Sequence, residues 1–304
     1  MAVCAIPVKP VLKRHPSART AAKKDGDKFM EPPAGRETHV DCSKLRLGRD
    51  TAGLSAMEKR QTLGRILVAV SLVVFGVQHF IYGGFVATLV PAFMPGRLFW
   101  AYFVGVAFFA AAAGISHKMM ARPAATMLGV MFFLFVVLLH IPRIIGNSTN
   151  GNEWTSGFVA LAMCGGAWIL ASAAPLEERE KADPFLGLGR HFFALAFVAF
   201  AVQHFVYARF AAGLGPPWYL GRALWMYLIG LVIVAPSVAI LLGQRTRMAA
   251  DLLATILFLF FLLMYVPRII AQLHNPGPWT SGFEILGLCG ASLVLSSTGR
   301  EKKD

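Results

Sequence analysis

Eight apolar stretches govern what this chain can fold into: Ile66 to Phe80, Phe99 to Ile115, Met127 to Ile141, Phe158 to Ala174, Phe192 to Tyr207, Leu224 to Leu242, Leu252 to Val266 and Phe283 to Leu295. Each is almost free of charge, and with its flanks it reaches the roughly 20 residues that a helix needs to cross a bilayer. Lipid offers the backbone no hydrogen bonds, so such stretches must satisfy their own amides as helices, and no alternating pattern suggests a barrel. At 56% hydrophobic and 15% charged residues, the 304-residue chain is too apolar for an ordinary soluble domain. The expectation is an all-α membrane protein of about eight transmembrane helices.

The net charge of +13 invites a nucleic-acid reading, but the placement of the charge removes it. Thirteen Lys and Arg residues between Lys59 and Lys303 flank alternate helix ends, while the opposite ends carry five: Arg97, Arg143, Arg209, Arg222 and Arg268. The positive-inside rule then puts both termini in the cytoplasm of a multi-pass inner (cell) membrane protein whose surroundings are the lipid bilayer. Residues 1–60 have the Pro-, Gly- and charge-rich composition of an irregular basic leader without a signal-peptide core. Met57 stands just before the first span, so residues 1–56 read either as a cytoplasmic tail or as an upstream extension. Cys4, Cys42, Cys164 and Cys289 have neither metal-binding nor redox spacing; the last two fall inside helices, where packing is their expected role.

Sliding the chain along itself by 125 residues brings two halves into register without a gap. Gln78-His79-Phe80 meets Gln203-His204-Phe205, Tyr82 meets Tyr207, and Gly96-Arg97 meets Gly221-Arg222. Farther on, Pro142-Arg143-Ile144-Ile145 meets Pro267-Arg268-Ile269-Ile270, and Trp154-Thr155-Ser156-Gly157-Phe158 meets Trp279-Thr280-Ser281-Gly282-Phe283. The organisation that follows is a repeat at 61–175, a cytoplasmic linker at 176–188, a second repeat at 189–298 and a basic tail at 299–304. An even number of helices per repeat makes the two four-helix bundle repeats parallel, related by an axis along the membrane normal.

A four-helix unit with Gln-His-Phe near the end of its first helix, Gly-Arg and Trp at the second, Pro-Arg after the third and a Gly-rich fourth resembles the DoxX-like (DoxX/DoxD) membrane family. Here the resemblance covers Gly64 to about Ser297 as a tandem double version. It implies an inner-membrane helical bundle and, from some members, a link to quinone-coupled sulfur oxidation or oxidative-stress complexes, with a membrane or periplasmic redox enzyme as partner.

Ionisable groups at membrane depth are costly and mark functional sites or helix ties. In the first half Gln78, His79, Tyr82, Arg97, His140, Arg143 and Trp154 fall near the outer helix ends; in the second, Gln203, His204, Tyr207, Arg222, Tyr265, Arg268 and Trp279 do. Helical spacing lets Gln78, His79 and Tyr82 share a face, with Pro142 ending or kinking the third helix beside Arg143. Imidazole and guanidinium suit a quinone headgroup or an anionic oxyacid, whereas the structural alternative has the same residues tying helix ends and the Trp and Tyr forming an interfacial belt. Haem would need paired axial ligands, and Tyr265 standing opposite His140 in the alignment argues against it; no zinc or iron carboxylate pattern is present. Glu284, where the first half has Val159, calls for a partner such as Arg268 or His204. The leading expectation is an amphiphile-binding accessory subunit of a redox system, with a transporter and a ligand-free scaffold as rivals.

Overall fold

In a computed structural model, residues 42–117, 119–173, 184–208 and 221–298 are described, and among them there is helix and no strand. The chain divides into two compact units, Met1–Leu45 and Arg46–Asp304. The first contributes to the described residues only the helical positions 42–45, so the architecture below is that of the second.

Among the described residues, eight helices are long and apolar enough to cross a membrane, which gives the chain the character of a multi-pass membrane protein. They are α1 (Cys42–Ile81, of which Ser55–Ile81 is the apolar span), α3 (Arg97–Ser116), α4 with its continuation (Ala121–Gly146), α6 (Gly151–Ser172), α7 (Pro184–Val206), α8 (Arg222–Leu242), α9 with its continuation (Thr246–Ala271) and α11 (Pro276–Thr298). A short helix, α2 (Gly83–Leu89), links the first two spans. Helix α1 starts inside the stretch expected to be irregular. Its added turns, Cys42 to Arg60, hold Leu, Ala, Lys, Arg and Glu and no proline, a composition that propagates helix once a span nucleates it. Linker positions 176–183 and the tail at 299–304 lie outside the described residues, whereas positions 184–188, expected as linker, are already the first turns of α7, which takes up the chain at Pro184, a residue suited to a first helical turn.

The prolines of the third and seventh spans do not end their helices. Proline at 142 supplies no N–H and its ring crowds the preceding turn, and the chain answers with one π-helical turn at Val136–His140 before continuing as α5 (Ile141–Gly146). The same device recurs 125 residues on, with a π turn at Phe261–Tyr265 followed by α10 (Val266–Ala271). Helices α3 and α8 start at residues also 125 apart, each after a left-handed glycine, Gly96 (φ 64) and Gly221 (φ 66).

Packing is tightest where glycines let backbones meet. A Cβ built on Gly64 would lie 2.5 Å from the carbonyl oxygen of Gly290, and one on Gly165 would lie 2.5 Å from the Phe193 amide nitrogen and 2.6 Å from the Gly189 carbonyl oxygen. The first span therefore lies against the eighth, and the fourth against the fifth. Between these contacts Gly166 faces Ala291, joining the fourth span to the eighth. Two thirds of the most apolar window of each of these two spans is buried, against 22–39% in the other six, which makes them the centre of the assembly. Cys164 and Cys289 are free thiols buried there. The second, third, sixth and seventh spans stand outside and keep much apolar surface, including Phe99, Phe103, Leu228 and Leu263, for lipid.

Candidate functional site

One end of the assembly collects most of the polar residues singled out in the sequence, and the hydrogen bonds there divide them by role. Gln78, near the end of α1, donates from Nε2 to the Pro276 carbonyl (3.2 Å) and accepts from Thr280 Oγ1 (3.0 Å) at the start of α11. Gln203, at the end of α7, accepts from Thr155 Oγ1 (3.2 Å) at the start of α6. Tyr82 donates to the His274 carbonyl (3.3 Å), and the Tyr207 ring lies against Gly151. The two amides tie a helix of one half to a helix of the other, Tyr82 joins the turn after α1 to the turn before α11, and Tyr207 packs on the start of α6. Thr155 and Thr280, which complete the ties, stand in the Trp-Thr-Ser-Gly-Phe sequence repeated in both halves, and that repetition is the signal for them in the sequence.

Trp154 and Trp279 close the turns that precede their helices, with the indole N–H donating six residues back to the Ser148 carbonyl (2.8 Å) and to the Leu273 carbonyl (3.1 Å). Asn150 and Asn275 cap the same helix starts, each accepting from the backbone N–H two residues on (3.0 Å in both). Arg143 donates to the Leu89 carbonyl (3.1 Å), fastening α5 to the end of α2. Arg268 stacks over the Tyr265 ring at 5.9 Å. Arg97 is exposed at the first turn of α3, where a cation does not complement the helix dipole. The Arg222 side chain, with Arg209, lies outside the described residues.

The histidines differ from all of these. His79 Nδ1 sits 2.8 Å from the Phe75 carbonyl, and His204 Nδ1 sits 2.8 Å from the Phe200 carbonyl. A carbonyl can only accept, so in the neutral ring Nδ1 carries the hydrogen and Nε2 is left as an acceptor. The His79 ring also meets Phe108 edge-on at 5.2 Å, fixing its direction. His140, at the end of the first π turn, packs its Cβ over Gly157 of α6, and its Nδ1 is buried with no hydrogen-bond partner. Arg143 and Glu153 are the charges that act on this ring. In the second half Tyr265 takes the same place, packs over Gly282 and hydrogen-bonds Ser281.

Glu284 does not pair with Arg268 or His204: among the described residues it has no hydrogen bond or ion pair. Its neighbour is Tyr265 on the adjoining span. Among the described residues, Asp251 is the acidic residue that finds a cation, 2.6 Å from Arg60. Among the described residues, no group of three or more His, Cys, Asp and Glu side chains is placed to hold a metal.

Two lipid-facing grooves lie elsewhere. One runs between the second and third spans along Ala107, Ala111, Met127 and Met131, and the other lies between the first and second along Ile66, Val70, Val73 and Phe109. Neither is lined by any of the polar residues above.

Residues 68–164 match a sequence family described as "Domain of unknown function (DUF8561)". The match runs from the first span into the fourth and takes in Gln78, His79, Tyr82, Arg97, His140, Arg143 and Trp154. No curated protein and no solved structure matches the chain.

Proposed function

We propose that this is a duplicated, DoxX-like membrane protein that binds the headgroup of a small hydroxyl-bearing amphiphile, a quinol of the quinone pair, at the outer ends of its helices, as the binding component of a membrane redox system. The observation that carries the reading is His140, whose Nδ1 is sealed from solvent and left without a partner at a π turn. A buried polar atom without a hydrogen bond costs free energy that a ligand can recover, and π turns inside helices are frequent at functional sites. His79 supports it: the pinned Nδ1 leaves an acceptor at Nε2, which a hydroxyl group satisfies and a carbonyl does not.

The duplication supports the same reading. Matching elements recur at an interval of 125 residues, and the ties are reciprocal: α1 bonds α11 through Gln78 and Thr280, while α7 bonds α6 through Gln203 and Thr155. That exchange is what two parallel copies about one axis would make. With Gln78, Tyr82 and Gln203 engaged by protein partners, the reading centres on the imidazoles. The excess of basic residues at the opposite helix ends would set this layer on the extracytoplasmic side.

Titration of the purified protein in nanodiscs with decylubiquinol and decylubiquinone tests the reading. Wild type should hold the quinol more tightly than the quinone, and His140→Ala and His79→Ala should each weaken quinol binding at least tenfold while the protein stays folded. Equal affinity for both redox forms, or variants indistinguishable from wild type, would refute it.

A further inference from the structure

Glu284 lies eight residues into α11, about 12 Å along the helix from Pro276 at 1.5 Å per residue, well inside the span rather than at its edge. An ionised carboxylate at that depth requires a counter-charge or a proton. The chain shows how it meets that requirement elsewhere: Asp251, near the start of its own span, takes Arg60 at 2.6 Å. Glu284 has no such partner among the described residues.

Among the described residues, the groups packed against this part of α11 give Glu284 no ion pair. From the seventh span come Tyr265, whose hydroxyl is engaged with Ser281, and Arg268, which lies over the Tyr265 ring. From the first span come Gln78, bonded to Thr280 one turn earlier, and Ser71, against Gly287. His79 of that span turns its ring to Phe108. From the fourth span comes Met163, also against Gly287. The matching place in the first half is Val159, so the carboxyl belongs to one half alone.

We propose that Glu284 is a proton-binding site within the membrane: the carboxyl takes up and releases one proton at the seam between the seventh and eighth spans, beside the Tyr265 hydroxyl. Carboxylate plus proton gives the neutral acid, and no other reactant is required. The second half thereby carries a proton acceptor that the first half lacks. The site is independent of amphiphile binding at His140, which Glu284→Gln leaves intact.

N,N′-dicyclohexylcarbodiimide is the probe, because it partitions into lipid and reacts with the protonated carboxyl. The acid O–H adds across one C=N bond, and the adduct rearranges to a stable N-acylurea with no leaving group. The full-length protein in vesicles is treated between pH 5 and 9 and the adduct is located by peptide mass spectrometry. The proposal expects labelling at Glu284 that falls at least tenfold as pH rises, little labelling at Asp251, and no adduct at 284 in Glu284→Gln. Infrared difference spectra between the same pH values should show a carboxylic C=O band that Glu284→Gln removes. A Glu284 that stays unlabelled and gives no such band, or labelling independent of pH, overturns it.

Discussion

The glycine contacts between halves give the sharpest quantitative prediction. In Gly165→Ala the new Cβ would stand 2.5 Å from the Phe193 amide nitrogen and 2.6 Å from the Gly189 carbonyl oxygen. Both are backbone atoms, so no side chain can swing away, and α6 and α7 must separate by roughly 1 Å to restore ordinary contact. Overpacking of this kind costs about 1–3 kcal/mol, and the upper figure applies where the obstacle is backbone. Alanine returns up to about 1 kcal/mol of helix propensity, leaving a net loss of about 2 kcal/mol, or about 30-fold in the opening equilibrium. Gly290→Ala should behave alike, since its Cβ would meet the Gly64 carbonyl oxygen at 2.5 Å. Gly84→Ala, with nothing within 4 Å, is the control and should cost nothing. The reporter is built in: Cys164 and Cys289 are buried, so in a Cys4→Ser, Cys42→Ser background their reaction with a thiol-reactive fluorophore in mild detergent follows opening. If Gly165→Ala opens no more readily than Gly84→Ala, the close approach of α6 and α7 is wrong.

A double-mutant cycle on Gln78→Leu and Thr280→Val should return a coupling of about 1 kcal/mol in the same assay, and the cycle on Gln203 and Thr155 a similar value; zero coupling in both would deny the ties between halves. Arg60 and Asp251 are each more than a third exposed, so Arg60→Gln should cost under about 1 kcal/mol and lose that effect at high salt.

The helical membrane character was legible because lipid leaves a long uncharged stretch one backbone solution, and the eight stretches from Ile66 to Leu295 fall in eight described helices long and apolar enough to cross a membrane. Function was less legible because sequence spacing places Gln78, His79 and Tyr82 on one helix but does not say which neighbour each meets. Gln78 and Tyr82 found helix α11 and its loop, and His79 turned to its own backbone. Pro142 was a clear signal with two outcomes, a break or an accommodated bulge; the choice depended on whether α5 could be held, and Arg143 holds it to Leu89. Glu284 was conspicuous by its charge, but its lack of a partner is a property of tertiary packing alone.

The central claim is that the imidazoles at one end of the assembly hold an amphiphile. Native mass spectrometry of the protein released from mild detergent, with small molecules extracted and identified, tests it most directly. The account predicts a hydroxyl-bearing prenyl-type amphiphile bound to wild type and to Glu284→Gln but lost from the His79→Ala, His140→Ala double variant. An empty wild type under conditions that retain lipids, or the same molecule retained by the double variant, would contradict it.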